Sequence, residues 1–190
     1  MARSEDKREA IGAAALHLFA ERGFHGVAVP EIAARAGVGL GTIYRYFDSK
    51  EALVNALYQE WKLATLDAVV ADFPVDRPFK EQFLVLWTRW ARFFGARPDV
   101  ARFLELHHHA AYLDATSRAI EQRAWDLSGQ LLAGARAQGL VKPLPDGVVV
   151  ALVQGALVGL VRAVESGHLE ELSPEVVEAA GICVWEALRA

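Results

Sequence analysis

The feature that most constrains this chain is the spacing of its helix breakers. Pro and Gly gather in groups such as 37–41, 74–78 and 143–147, separated by stretches of about a dozen residues or more in which Ala, Leu, Glu and Arg predominate. Alternating β-branched runs are scarce. Each stretch is long enough for a helix and badly patterned for a strand, so the chain reads as all-α, with about nine helices.

Capping chemistry locates their ends. The first helix is expected from Ser4, with Glu5 and Asp6 in its first turn, to Gly23, and Ile11, Ala14, Ala15, Leu18 and Phe19 form its apolar face. Two short helices follow, at about 30–36, ending at Gly37, and at about 40–47. Asp48 is the expected cap of a long fourth helix running to about Asp72, with Glu51 reaching back. Further helices are expected at about 78–95, 98–109, 114–138, 146–166 and 174–189. Asp76, Asp146 and Ser173 are candidate caps, and Gly139 and Gly167 candidate stops.

Composition narrows the setting. The chain of 190 residues can bury a sizeable core, and its one cysteine, Cys183, excludes an internal disulfide and offers no metal-ligand spacing. The opening MARSEDKREA mixes both charge signs and has no export signal, so a cytoplasmic location is expected. The most apolar stretch, Val148 to Val164, carries Gln154 and Arg162 and falls short of the roughly 20 residues that span a bilayer. It is expected to be a buried or interface helix rather than a membrane span. The net charge of −4 argues against a protein that coats nucleic acid. Locally, however, the first fifty residues hold seven Lys/Arg against six Asp/Glu, which leaves the N-terminal part the better partner for a polyanion.

Within that part, two short helices flank the turn Gly37-Val38-Gly39, the arrangement of a helix-turn-helix in which the first helix braces the second against a DNA major groove. Ile32, Ala33, Val38 and Ile43 would form its small core. The second helix would then expose Leu40, Thr42, Tyr44, Arg45 and Tyr46. These types suit duplex DNA: Arg45 can fork onto guanine, Thr42 and the tyrosines can donate to phosphate, and Leu40 can meet a thymine methyl. Lys50 adds a cation near the backbone, at the positive end of the fourth helix. The same spacing also fits a plain helical hairpin whose Tyr44, Tyr46 and Phe47 simply pack.

The run REAIGAAALHLFAERGFHGVAV, followed by EIAARAGVGLGTIYRYFDSKEAL, resembles the N-terminal domain of tetracycline-repressor (TetR) family regulators. Matching blocks fall in order: Arg8 and Ile11, Ala14-Ala15, Leu18-Phe19, Gly23-Phe24, Ile32-Ala33, Ala36-Gly37-Val38, Gly41-Thr42-Ile43-Tyr44, Tyr46-Phe47 and Ser49-Lys50-Glu51-Ala52-Leu53. The resemblance implies an Ω-shaped homodimer that reads an operator in double-stranded DNA. It implies a three-helix DNA-binding domain at residues 1–49 and a helical effector-binding and dimerisation domain at 50–190. The candidate DNA-binding set is Leu40, Gly41, Thr42, Tyr44, Arg45, Tyr46 and Lys50. Three positions depart from the family pattern. Ala28 stands in place of a Ser or Thr, Pro30 in place of a basic or polar residue and Gly39 in place of Ser, and the lost hydroxyls cost roughly 1 kcal/mol or less each.

The C-terminal part offers three clues. Its aromatic residues, Phe83 among them, suggest a pocket for a largely apolar or aromatic effector, with Trp61, Trp87, Trp90, Phe94, Phe103, His108, Tyr112 and Trp125 as the candidate ligand-binding set and Thr88 and Gln122 as further polar groups. An ordinary core is the competing reading. The triplet His107-His108-His109 cannot share one helix face and lacks a completing ligand, so no metal or other cofactor is expected; one histidine facing the pocket, with the others at a helix end, is the reading preferred. Finally, Gly155 and Gly159 lie four apart beside Leu152, Leu160 and Val164. With Val176, Val177, Ala180, Val184 and Leu188 they suggest a homodimer through the last two helices, against the alternative of a closed monomer core.

The resulting expectation is a ligand-responsive transcriptional regulator, most simply a repressor released by its effector, and not an enzyme. A helical enzyme and a protein-interaction module compete with it. No Gly-rich phosphate loop, nucleophile elbow or HExxH motif supports the former.

Overall fold

The computed structural model describes residues 2–105 and 111–190. Among them are nine helices: α1 Ala2–Arg22, α2 Val29–Arg35, α3 Leu40–Tyr46, α4 Lys50–Val70, α5 Phe79–Gly95, α6 Pro98–Glu105, α7 Ala115–Ala137, α8 Asp146–Glu165 and α9 Pro174–Leu188. The predicted stops Gly23, Gly139 and Gly167 all take positive φ, as does Gly37. Ser173 caps α9, its Oγ accepting from the Val176 N–H at 3.3 Å.

Four expected caps differ. Ser49, not Asp48, caps α4, because the Ala52 N–H donates to Ser49 Oγ at 3.1 Å. Phe47 is extended (φ −140, ψ 118), and the chain re-enters helix only after Ser49. Asp76 caps nothing, since the residue preceding α5 is Pro78 and the Glu81 N–H bonds to the Pro78 carbonyl. Asp146 is the first residue of α8 rather than its cap, and its carboxylate is taken by Arg136. Ser4 lies inside α1, whose first residue is Ala2.

The chain folds as two compact units. One comprises α1, α2, α3, residues 50–63 of α4, α6 and residues 115–120 of α7. Its core is apolar and tight: Ile11, Phe19, Leu53 and Phe103 have no exposed surface, and neither do Ile32 of α2 and, to within 2%, Ile43 of α3. Phe19 bridges the layers, its ring 6.1 Å from Phe24 and 6.4 Å from Phe103. On the rim, His17 joins α1 to α6, with Nδ1 3.0 Å from Asp99 and Nε2 3.2 Å from Glu21.

The other unit comprises residues 64–70 of α4, α5, residues 121–137 of α7, α8 and α9. Its main seam joins α5 to α9. Trp87 fills that seam, its Nε1 donating to the Val177 carbonyl at 2.7 Å. The indole lies so close to α9 that a Cβ on Gly181 would stand 2.5 Å from its Cδ1, so only glycine fits there. Leu132, Val149 and Leu188 make a second cluster, and Ala135, Val141 and Trp185 a third; Phe83 packs against both. The chain end is pinned by backbone pairing of Val141 with Arg189, the Lys142 N–H reaching Leu188 O at 2.9 Å.

Burial in α8 is one-sided. Val149, Leu157 and Val161 are buried, whereas Val148 and Leu152 keep 43% and 47% of their surface exposed. At 20 residues, α8 is long and apolar enough to cross a membrane by length and composition, longer than the 17-residue stretch read from the sequence.

Candidate nucleic-acid interface

The head begins where α1 turns into α2. Ala28 precedes α2 with extended backbone (φ −99, ψ 143) and offers no side-chain acceptor. Glu31 compensates: its Oε2 accepts the Ala28 N–H at 2.8 Å while Oε1 pairs with Arg22 at 2.9 Å. The Ala28 N–H, and after it Arg22, hold the Glu31 carboxyl below the usual carboxylate range. This is half a capping box, with the acidic half intact and the hydroxyl half missing.

Gly37 then reverses the chain at φ 66, a conformation that costs other residues about 1 kcal/mol or more. The Val38 N–H closes the turn on Ala33 O at 3.0 Å. Gly39 precedes α3 without a side-chain cap, and the Thr42 N–H bonds to Gly39 O at 2.8 Å.

Of the seven residues of α3, only Ile43 is buried. Leu40 (42%), Gly41, Tyr44 (49%) and Arg45 are exposed, while Thr42 and Tyr46 are half-buried. Arg45 lies over the Tyr46 ring at 5.2 Å, and its Nη2 donates to Tyr46 Oη at 3.3 Å. That contact extends the guanidinium along the helix surface without covering it. Lys50 sits differently: its Nζ stands 4.2 Å from the Phe24 ring centroid, and burial lowers the pKa of its ammonium while Glu51 and Glu31 act the other way. Arg8 braces the foot of α3, 5.6 Å from the Phe47 ring centroid.

The aromatic set divides between the units. Phe103 is core in the first, Tyr112 stacks on Phe24 there at 4.2 Å, and Trp61 lies half-buried on α4. In the second, Trp87 is committed to Val177, Trp90 lies 5.9 Å from Phe94, and Trp125 is 42% exposed on α7. Gln122 is engaged by Asp126 at 2.8 Å. His107, His108 and His109 lie outside the described residues. Among the described residues no group of three or more His, Cys, Asp or Glu could hold a metal ion.

Sequence reasoning missed Asn55. It is buried on α4 and binds the Tyr112 carbonyl, the Asp114 N–H and the Ser117 hydroxyl. An asparagine in an apolar helical run was the only available signal.

A short helix pinned by one buried side chain, braced by a second helix across a glycine turn and exposing Arg, Tyr and Leu, defines a helix-turn-helix protein of the DNA-binding class. The profile described as "Bacterial regulatory proteins, tetR family" matches residues 11–57, and "Tetracyclin repressor-like, C-terminal domain" matches residues 58–190. The chain belongs to the TetR family of transcriptional regulators. It is 24% identical over 185 residues to an HTH-type transcriptional regulator of Haemophilus influenzae, covering 97% of this chain and 96% of that one. Its similarity to RutR of Escherichia coli K12 is 42% over 79 residues, 40% of this chain and 37% of RutR. A TetR-family transcription regulator from Marinobacter aquaeolei VT8 has the same fold, with a TM-score of 0.85 at 27% identity over 98% of this chain and 97% of that one.

Proposed function

We propose that this chain is a cytoplasmic, homodimeric repressor that leaves its operator when a small, largely apolar or aromatic effector binds. The observation that carries the DNA reading is α3 itself, which buries Ile43 alone and presents Leu40, Tyr44 and Arg45 outward. Arg45 reads a guanine edge, Thr42, Tyr44 and Tyr46 meet phosphates, Leu40 and Gly41 lie against the groove, and Lys50 adds a backbone contact. Functionally the head is residues 1–49 and the sensing and dimerising part 50–190. This division differs from the compact units, because residues 50–63 and α6 pack with the head.

The dimer reading is supported by α8 and α9. Val148, Leu152 and Ile182 are uncovered, and a Cβ built on Gly147, Gly155 or Gly159 meets no atom within 4 Å. A second copy of the same helices gives those apolar surfaces a partner. Two heads then address half-sites about 34 Å apart or at a related spacing.

The effector reading is supported most directly by Trp90. Its Nε1 is enclosed without an acceptor among the described residues, beside Phe94, which suits an apolar ligand carrying one acceptor atom. Of the other aromatic candidates, Trp87 and Trp125 belong to the same unit as Trp90 and Phe94, whereas Trp61, Phe103 and Tyr112 belong to the other. An effector that prefers the released state about 100-fold supplies about 2.7 kcal/mol of control.

The test is selection of duplex DNA by the purified protein, followed by fluorescence anisotropy on the selected site. Arg45→Ala is expected to weaken binding by about 1–3 kcal/mol and to relax preference at one base pair. Failure of the native protein to enrich any sequence at low salt would overturn the reading. Leu152→Glu is expected to shift light scattering from dimer to monomer.

A further inference from the structure

Asn55 is held by every hydrogen bond its side chain can make. Its Nδ2 donates to the Glu51 carbonyl and to the Tyr112 carbonyl, both at 2.8 Å. Its Oδ1 accepts the Asp114 N–H at 2.9 Å and the Ser117 hydroxyl at 2.7 Å. Two donors and two acceptor sites are the full capacity of a carboxamide, so the amide cannot flip or slide without setting like groups against each other. The surroundings hold the node too. Ser117 is fully buried and accepts from Gln59 Nε2 at 3.1 Å, and Asp114 caps α7 by accepting the Ser117 N–H at 2.7 Å.

The node fixes where residues 112–117 lie against α4, and that stretch reaches the head through Tyr112. The Tyr112 ring stacks on Phe24 at 4.2 Å, and Phe24 is the ring over which the Lys50 ammonium rests. A chain of contacts thus runs from Asn55 through Tyr112 and Phe24 to Lys50, entirely within one compact unit. Each link is directional: a saturated amide, a stacked pair and a cation on a ring. None of these residues except Lys50 belongs to the DNA-facing surface.

We propose that Asn55 is a positioning residue for DNA binding, acting through the Tyr112–Phe24 stack to set the Lys50 ammonium for a phosphate of the DNA backbone. This rests on the reading of the head as a DNA-binding element. Removing the amide unfastens the Tyr112 backbone from α4 and loosens the Tyr112 side of the Phe24 ring, so that the ring under Lys50 is held less firmly, by its Phe19 side alone rather than by both.

The experiment is a double-mutant cycle on the full chain, read as affinity for the selected duplex at fixed salt, using protein whose folded fraction is set by circular dichroism. Asn55→Ala is expected to lower affinity about tenfold when Lys50 is present and less than about twofold in a Lys50→Ala background. It should also reduce the salt slope of binding by about one. Ser117→Ala removes one of the four bonds and gives the same pattern at smaller amplitude, which keeps the test available should Asn55→Ala not fold. Equal losses in both backgrounds, or full affinity in folded Asn55→Ala or Ser117→Ala protein, overturn the inference. Arg45→Ala separates the levels: if it leaves binding intact, the reading of the head fails; if it abolishes binding while Asn55 and Lys50 act additively, only this inference falls.

Discussion

The two compact units satisfy their interiors in opposite ways. The unit that contains the head closes its apolar core on itself and sets into that core a polar node in which every hydrogen bond of Asn55 is made. The unit built on α5, α8 and α9 relies on apolar packing around Trp87 and leaves Val148, Leu152 and Ile182 uncovered. A head that must present fixed side chains gains from directional bonds, which tolerate one geometry. A surface that meets a second copy, as proposed for α8 and α9, would gain from apolar area, which is less directional.

The largest test of this contrast is Phe19→Ala. Phe19 has no exposed surface and joins α1 to Phe24 and Phe103, so its truncation should cost about 3–5 kcal/mol in urea unfolding. Hydrogen exchange sharpens the comparison: on dilution, amides of α8 should exchange faster while those of α1 to α3 keep their rates. Uniform acceleration would erase the distinction.

A smaller effect probes the seam. Gly→Ala inside a helix ordinarily stabilises by about 1 kcal/mol, yet Gly181→Ala should destabilise by about 1–3 kcal/mol because the new Cβ meets the Trp87 indole. A stabilised Gly181→Ala protein would show that the α5–α9 seam is looser than described.

The smallest effect belongs to Glu31. Its carboxyl is held below the ordinary value of 4.5, so the ionised form is favoured by folding. The sign follows from linkage: the contribution is complete above the unfolded value and fades as pH falls through the lower folded one. Glu31→Gln should therefore be less stable than the native chain at neutral pH, and the gap should narrow under acid in pH-dependent thermal melts. A constant gap would mean that Glu31 acts on α2 without its charge.

Much of this fold was legible in the sequence because glycine, proline and capping residues act locally. Gly23, Gly37, Gly139 and Gly167 end helices where expected, and Ser173 caps α9. The small core of the head was equally legible: Ile32, Ala33 and Ile43 are buried, with Val38 half-buried. Choices between neighbours were harder. Asp48 and Ser49 both have capping chemistry, and the extended Phe47 delays the helix past Asp48. Asp146 was claimed by Arg136, ten positions earlier in the chain, and no local pattern shows such a partner. Nor could aromatic density show that Phe103 and Tyr112 pack with α1 and its turn, because residue type does not encode which unit a ring joins. The Asn55 node was illegible for the same reason, since three of its four partners lie more than fifty residues away.

That α3 hangs on Ile43 alone has a consequence for how such a molecule acquires new targets. On the proposed reading of α3 the anchor and the lettering are different side chains, so the exposed Leu40, Tyr44 and Arg45 can be exchanged while the scaffold beneath them stays as it is. Vocabulary can drift, or be rewritten by a designer, at little cost to folding. A library confined to those three positions would yield proteins with unlike operator preferences and nearly common melting temperatures.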